Sequence, residues 1–257
     1  MYSGGVASWA AAKRVVELFG AHDTVLLFTD TKQEDAETYR FLTESAANVG
    51  AHLEMIADGR DIWQVYKDVK LMGNSRVDPC SRILKRELAD KWVATHFKPE
   101  DVTMYVGMDF TEMHRFERMR DRKVPYVYEA PLLWEPPLTK AEIFEWARAE
   151  GLELPVLYKA GMQHNNCAGF CIKAGQGHYQ RLWEQLPDRY LEFERKEQEV
   201  YNHIGKQHPF LRVTDNGELK YLTLREFREQ YLEGPKQCDL FDIGGCGCFS
   251  VEGDTDD

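Results

Sequence analysis

Residues 2–8, YSGGVAS, set two adjacent glycines, Gly4 and Gly5, between Ser3 and Ser8 at the mouth of an alanine-rich stretch. Glycines let a backbone curl until several N–H groups converge, serines add hydroxyls, and a helix N-terminus carries partial positive charge. Together these make a nest for an anion such as phosphate. An ordinary turn uses glycines in the same way. The spacing matches neither the P-loop, which ends in Gly-Lys-Ser/Thr, nor the dinucleotide GxGxxG pattern.

Cys167 and Cys171 are the other concentration of chemistry, within HNNCAGFCIKAGQGHY, and Cys246 and Cys248 follow in GGCGCFS. These four, with His164 in reserve, would suffice for a tetrahedral zinc site. Small buried thiols are the plain alternative. Cys246 or Cys248 would also serve as a nucleophile if its thiolate were stabilised, although pairing across one glycine fits metal ligation or redox exchange equally well. Asp109 and Glu112 offer oxygen ligands suited to Mg²⁺, and also read as helix-capping or exposed charge. Arg82, Lys85, Arg115 and Arg118 are candidates to counter polyphosphate charge or are solvated helix residues. Asp30 and Thr31 close an apolar run, where ligands of open parallel sheets collect; a cap or turn is the alternative for Asp30. His178 and Tyr179 follow GQG as possible substrate contacts, whereas Trp134, Trp146 and Tyr158 read as core packing.

Alternating elements must position these residues. Val6 to Phe19 has helical spacing and ends near Gly20; TVLLFTD reads as a buried strand; AETYRFLTESAANVG returns to helix and stops at Gly50. AHLEMIA is a second strand, SRILKRELADKWVATHF a helix, and VTMYVGMD a strand ending at Asp109. TKAEIFEWARAEG is a helix with Thr139 as N-cap and Glu142 at the capping-box position. The alternation predicts an α/β fold with a mostly parallel sheet covered on both faces. From about Tyr158 the pattern becomes mainly helical and cysteine-containing, with TDNGEL as a turn between two short strands and TLREFREQYLEG as a helix. Two domains are expected, 1–160 and 161–257.

The chain has 257 residues, 43% of them apolar, enough for a substantial core. No window approaches the apolar length of a membrane span, so no membrane partner is expected. No cationic region followed by an apolar stretch opens the chain, and the expected location is cytoplasmic. Six cysteines there suggest metal, cluster or catalytic use more than a disulfide framework. A net charge of −11 argues against broad attraction to nucleic-acid phosphates while leaving room for a local basic surface.

Several segments carry a family resemblance. YSGGVAS resembles the PP-loop, SGGxDS, of the adenine nucleotide alpha-hydrolase-like superfamily. FTDTKQEDAETYRFL, PCSRILK, YVGMDFTEMHRFERM and APLLWEPPLTKAEIFEWARAEGLELPVLYKAGM resemble successive segments of the phosphoadenosine phosphosulfate reductase family. The five ordered matches cover roughly residues 2 to 172. The resemblance implies a doubly wound PP-loop domain with phosphate contacts from Ser3, Gly4, Gly5 and Ser8. It places Asp30 and Thr31 beside adenosine, adds Arg82 and Arg115 to the nucleotide contacts, and gives Lys85 a catalytic place near the phosphates. Ala7 departs from the family acid. The family also places a strand ahead of the loop, which here opens at residue 2, so either the start lies upstream or another segment fills that position.

In the adenosine phosphosulfate reductases, paired cysteines at two of these places bind a four-iron, four-sulfur cluster. The resemblance therefore implies Cys80, Cys167 and Cys171 as ligands, with Cys246 or Cys248 as the fourth and zinc as the competitor. The implied enzyme binds ATP, with Mg²⁺, and couples adenylation to sulfur transfer. Its acceptor would be a small molecule or nucleic acid, and its assembly possibly a homodimer. The alternatives are a sulfonucleotide reductase, with a thiol reductant and Cys246 or Cys248 as nucleophile, and a noncatalytic nucleotide- or nucleic-acid-binding module.

Overall fold

The computed structural model describes residues 1–215 and 217–244. Helix α1, Val6–Phe19, leads to strand β1, Val25–Asp30; helix α2, Ala36–Val49, leads to β2, His52–Ala57. Helix α3 is Ile62–Val69. The short α4, Pro79–Ser81, winds through a π-helical stretch, Arg82–Glu87, into α5, Leu88–His96. Strand β3, Thr103–Tyr105, helix α6, Met113–Arg122, and strand β4, Val127–Glu129, come next. The order continues with α7, Lys140–Ala149, α8, Val156–Lys159, α9, Gln176–Gln185, and α10, Pro187–Ile204. Strands β5, Leu211–Asp215, and β6, Glu218–Leu222, precede α11, Leu224–Phe227, which widens into a π turn at Arg228–Leu232.

The fold is mixed α/β with small parallel sheets: β1 pairs with β2 and β3 with β4, both parallel, while β5 and β6 form an antiparallel pair. Met1 and Tyr2 lie between the two parallel pairs. The Tyr2 N–H donates to the Leu27 carbonyl at 2.8 Å, and the Met1 nitrogen to the Tyr105 carbonyl at 2.7 Å. Alternation along β1 covers both of its faces. Leu26 and Phe28 pack into a core with Trp9 of α1 and Phe41 and Leu42 of α2, whereas Leu27 packs with Ala89 and Val93 of α5. Each such fully buried side chain contributes about 1.5–3 kcal/mol.

Local signals set several boundaries. The Asp35 carboxylate caps α2 by accepting from the Thr38 N–H, and Thr139 and Glu142 form the expected capping box on α7. The expected strand through Asp109 is shorter, because β3 ends at Tyr105; only the Val106 N–H continues toward β4, donating to the Glu129 carbonyl. A third core, holding Tyr66, Phe170, Tyr179, Phe193 and Phe227, draws on residues from both sides of position 160. No helix among the described residues is long and apolar enough to cross a membrane.

On α10, Glu197 is buried. Its carboxylate accepts from the Tyr201 hydroxyl at 2.6 Å and from the Leu224 N–H at 2.8 Å. Burial nevertheless pushes its pKa up to about 8. The folded state thus keeps a proton that the unfolded chain releases above the ordinary carboxylate pKa, so stability falls as pH rises from near 4.5 through about 8. Thermal melts at pH 5 and pH 8 will show this loss, and Glu197→Gln will reduce it by about 10 °C, equivalent to about 3 kcal/mol in a chain of this size.

Candidate functional site

The diglycine turn opens α1 as the sequence suggests. Gly4 takes a left-handed conformation, φ +73°, and Gly5 is the N-cap of α1. The Ser8 hydroxyl donates to the Gly5 carbonyl at 2.8 Å and accepts from Ser3 at 3.2 Å, while the N–H groups of the first helical turn have no intrahelical acceptor. Gly107, just past β3, closes on this turn: a Cβ there would lie 2.7 Å from the Ser8 nitrogen and 2.8 Å from the Ala7 carbonyl group. Only glycine permits that approach.

A cleft of about 680 Å³ opens at this junction. Ser3, Gly5 and Ser8 meet Asp109, Glu112 and Arg115 there, joined by Lys140 from the start of α7 and by His164. Arg115 pairs with Glu112 at 2.5 Å. Burial raises the Glu112 carboxyl; Arg115 opposes the rise and neighbouring Asp109 adds to it. His164 is half-buried, stacks on His178 with ring centroids 5.5 Å apart, and leaves its Nδ1 without a hydrogen-bond partner. Burial first, then His178, Lys140 and Lys85, hold its pKa well below the ordinary histidine value, so the ring is neutral at pH 7. Tyr158, read as core from sequence, stands over the nest: its hydroxyl accepts from the Val6 N–H at 3.4 Å, and its ring meets Phe144 edge-on.

Asp30 and Thr31 lie at the carboxyl end of β1 outside this cleft's lining. Asp30 accepts from the Lys32 N–H at 2.8 Å, from Lys32 Nζ at 2.9 Å and from the Tyr39 hydroxyl at 2.7 Å. Burial would raise its pKa, but these bonds outweigh burial and hold it low. Thr31 donates to Glu34 at 3.1 Å, and buried Lys85 approaches the same carboxylate at 3.9 Å. Arg82 faces elsewhere: it pairs with Glu87 at 2.8 Å and lines a separate groove of about 520 Å³ with Arg86, Asp90 and Lys123. Arg118 is half-buried on α6, its Nε donating to the His114 carbonyl at 3.4 Å.

Three of the predicted thiols gather behind the nest. The Tyr66 hydroxyl donates to Cys80 Sγ at 3.1 Å. Burial raises the pKa of Tyr66 well above its ordinary value, and Cys80, Cys171 and Cys167 each add to the rise. Cys167 and Ala168 both take positive φ, 52° and 53°, which turns the loop sharply; the Cys167 N–H donates to Glu34 at 2.5 Å. Asn165 anchors this loop to the nest. Its side-chain amide donates to the Gly4 carbonyl at 3.3 Å, and its own carbonyl accepts from Thr38 at 3.0 Å. The Cys80 and Cys171 segments are tied by buried Asp78, which accepts from Arg86 at 2.7 and 3.0 Å and pairs with Lys173 at 2.8 Å. His178 and Tyr179 are buried supports: the His178 ring meets the Gly169 carbonyl at 2.7 Å, and the Tyr179 hydroxyl donates to the Cys171 carbonyl at 2.9 Å.

The chain end described here is docked on the same region. Gly175 N–H donates to the Ile243 carbonyl and Gly177 N–H to the Asp242 carbonyl, at 3.0 and 2.8 Å. Cys246 and Cys248 lie outside the described residues. Among the described residues, no group of three or more His, Cys, Asp or Glu side chains is placed to hold one metal ion. The residues that sequence reasoning missed are Gly107, Lys140, Asn165 and Glu34. Of these only Gly107 carried a signal, as the glycine directly after an apolar strand.

Asp78→Asn removes the anion that Arg86 and Lys173 both face while keeping the side chain's shape. Breaking a buried pair on one side costs about 3–5 kcal/mol. Urea unfolding will show a loss of about 3 kcal/mol for this variant, against less than about 1 kcal/mol for Arg60→Ala, whose surface ion pairs with Asp58 and Asp68 are open to solvent.

No protein-family model matches the chain, and no curated protein matches it.

Proposed function

We propose that the cleft binds the phosphates of an adenine nucleotide and that the chain is a PP-loop-type enzyme coupling adenylation to sulfur transfer. One observation carries this reading: the open first turn of α1 shares a single cleft with Arg115 and Lys140. Fixed N–H donors and two cations would stabilise charge building on a departing pyrophosphate without reorganising. Ala7 supplies no carboxylate within the loop, so Asp109 and Glu112 are the oxygen donors available for Mg²⁺. Neutral His164 can exchange one hydrogen bond with a ligand at its Nδ1. The doubly wound PP-loop arrangement, with the strand end of β1 beside adenosine, belongs to the same reading.

Cys80, Cys167 and Cys171 are the proposed ligands of an iron–sulfur cluster, each thiolate meeting its own iron, with zinc as the competitor; the Tyr66 hydroxyl donates to Cys80, and all three sulfurs act on Tyr66. Cys246 or Cys248 is the proposed fourth ligand. When bound, the cluster would supply the metal centre for sulfur delivery. The chain's own part is to fix the thiols through the Asn165 and Asp78 anchors and to keep Lys85 and Glu34 beside Cys167.

Titration with ATP and with phosphoadenosine phosphosulfate will test the nucleotide reading. Arg115→Ala and Lys140→Ala should each weaken ATP binding by about tenfold, the loss of one hydrogen bond to a charged group. Pyrophosphate release supports adenylation, sulfite release with thioredoxin indicates the reductase, and neither product with binding retained indicates a noncatalytic module. Absence of binding to both nucleotides overturns the proposal. Anaerobically purified protein should contain iron and sulfide rather than zinc, and Cys167→Ser should lower the iron content at least twofold; zinc alone would overturn the cluster assignment.

A further inference from the structure

An anion only accepts hydrogen bonds, so a hydroxyl serves it through a proton that is not committed elsewhere. Five hydroxyl side chains line the cleft among the described residues: Ser3, Ser8, Thr111, Thr139 and Tyr158. Four of them donate within their own segments. Thr111 donates to the Asp109 carboxylate at 2.5 Å and Thr139 to the Glu142 carboxylate at 2.6 Å. The two serines form a relay, in which Ser3 donates to Ser8 Oγ at 3.2 Å and Ser8 donates to the Gly5 carbonyl at 2.8 Å. That carbonyl also accepts from the Trp9 N–H at 3.2 Å, where the hydrogen-bond ladder of α1 begins. The relay therefore fastens the entry of the helix, and it turns lone pairs rather than protons toward a ligand.

Tyr158 stands differently. Its hydroxyl oxygen accepts from the Val6 N–H at 3.4 Å, a long bond that sets direction more than it adds stability. A hydroxyl whose oxygen faces a donor turns its own proton away from that donor, here away from the helix end. The approach depends on glycine, because a Cβ on Gly5 would lie 2.9 Å from this oxygen. Phe144 of α7 meets the Tyr158 ring edge-on with centroids 5.2 Å apart, so packing holds the ring at the mouth of the turn. Arg115 and Lys140 line the same cleft. An anion drawn by these cations to the first-turn N–H groups lies beside the phenol.

We infer that Tyr158 supplies the hydroxyl that meets a phosphate in this cleft, and that Ser3 and Ser8 hold the turn without donating to the ligand. The inference rests on the nucleotide reading proposed above. Within that reading it puts a phenolic contact from α8 in place of the serine contacts that the family resemblance implies. Gly5 then has a second task besides opening α1, which is to leave room for the phenol.

Calorimetric titration with inorganic pyrophosphate and with ATP tests this, with a thermal melt of each variant alongside. Tyr158→Phe keeps the ring against Phe144 and removes only the hydroxyl. It should weaken pyrophosphate binding about tenfold, the loss of one hydrogen bond to a charged group, while its melting temperature stays within about 2 °C of the parent. Ser8→Ala should show the opposite pattern, melting about 3 °C lower and binding pyrophosphate within about twofold of the parent. Ser3→Ala should likewise bind within about twofold. Equal affinity in the parent and Tyr158→Phe overturns the inference and leaves the nucleotide reading standing. A tenfold loss in Ser3→Ala or Ser8→Ala without a change in melting temperature assigns the contact to the serines and also overturns it. A parent chain that binds neither pyrophosphate nor ATP overturns the reading and the inference together.

Discussion

The candidate site depends on a contact of backbone against backbone. Gly107 comes so near Ala7 and Ser8 that any side chain would collide with the first turn of α1. This lets the end of β3 and the nest at Gly4 and Gly5 share one wall, so that groups from α6, α7 and the segment at His164 all open onto the same N–H donors. A wider separation would leave Arg115 and Lys140 facing solvent rather than a cleft. Tyr158 seals the opposite side, with its hydroxyl over Gly5 and Val6.

Behind that wall, polar bonds join the thiol-bearing loop to the nest. Asn165 reaches Gly4, Thr38 reaches Asn165, and Asp35 both caps α2 and receives Arg189 of α10. The positive φ values at Cys167 and Ala168 are costly for residues other than glycine and are tolerated because the surrounding bonds fix the turn. Glu34 concentrates charge at this point, gathering the Thr31 hydroxyl, the Cys167 N–H and the Lys85 ammonium around one carboxylate.

Much of this architecture was legible where local signals decide it. Helix α1 follows its diglycine, α2 stops before Gly50, and the Thr139–Glu142 box opens α7 as the spacing predicts. The π-wound stretch at Arg82–Glu87 was not legible, because no local propensity specifies it; buried Lys85 meets Glu34 from the loop after β1, and buried Arg86 reaches back to Asp78, the N-cap of α4. The turn that opens α1 was readable from Ser3, Gly4, Gly5 and Ser8, which are close in sequence. Lys140 and His164 were not assigned to it, since only tertiary folding brings α7 and the thiol loop to the same opening. Arg82 and Lys85, three positions apart in sequence, face different regions because the wide turn between them rotates one outward and the other inward.

The Asp78 carboxylate has a consequence for how the sulfur groups behave as a set. One buried anion grips both the helix that carries Cys80 and the turn after Cys171, so thermal motion cannot spread these segments without separating opposite charges in a medium that screens them poorly. The separation of the Cys80 and Cys171 segments is thereby fixed by the fold itself. Were the proposed cluster to bind between them, the entropic penalty of gathering loose ligands would fall on folding rather than on capture.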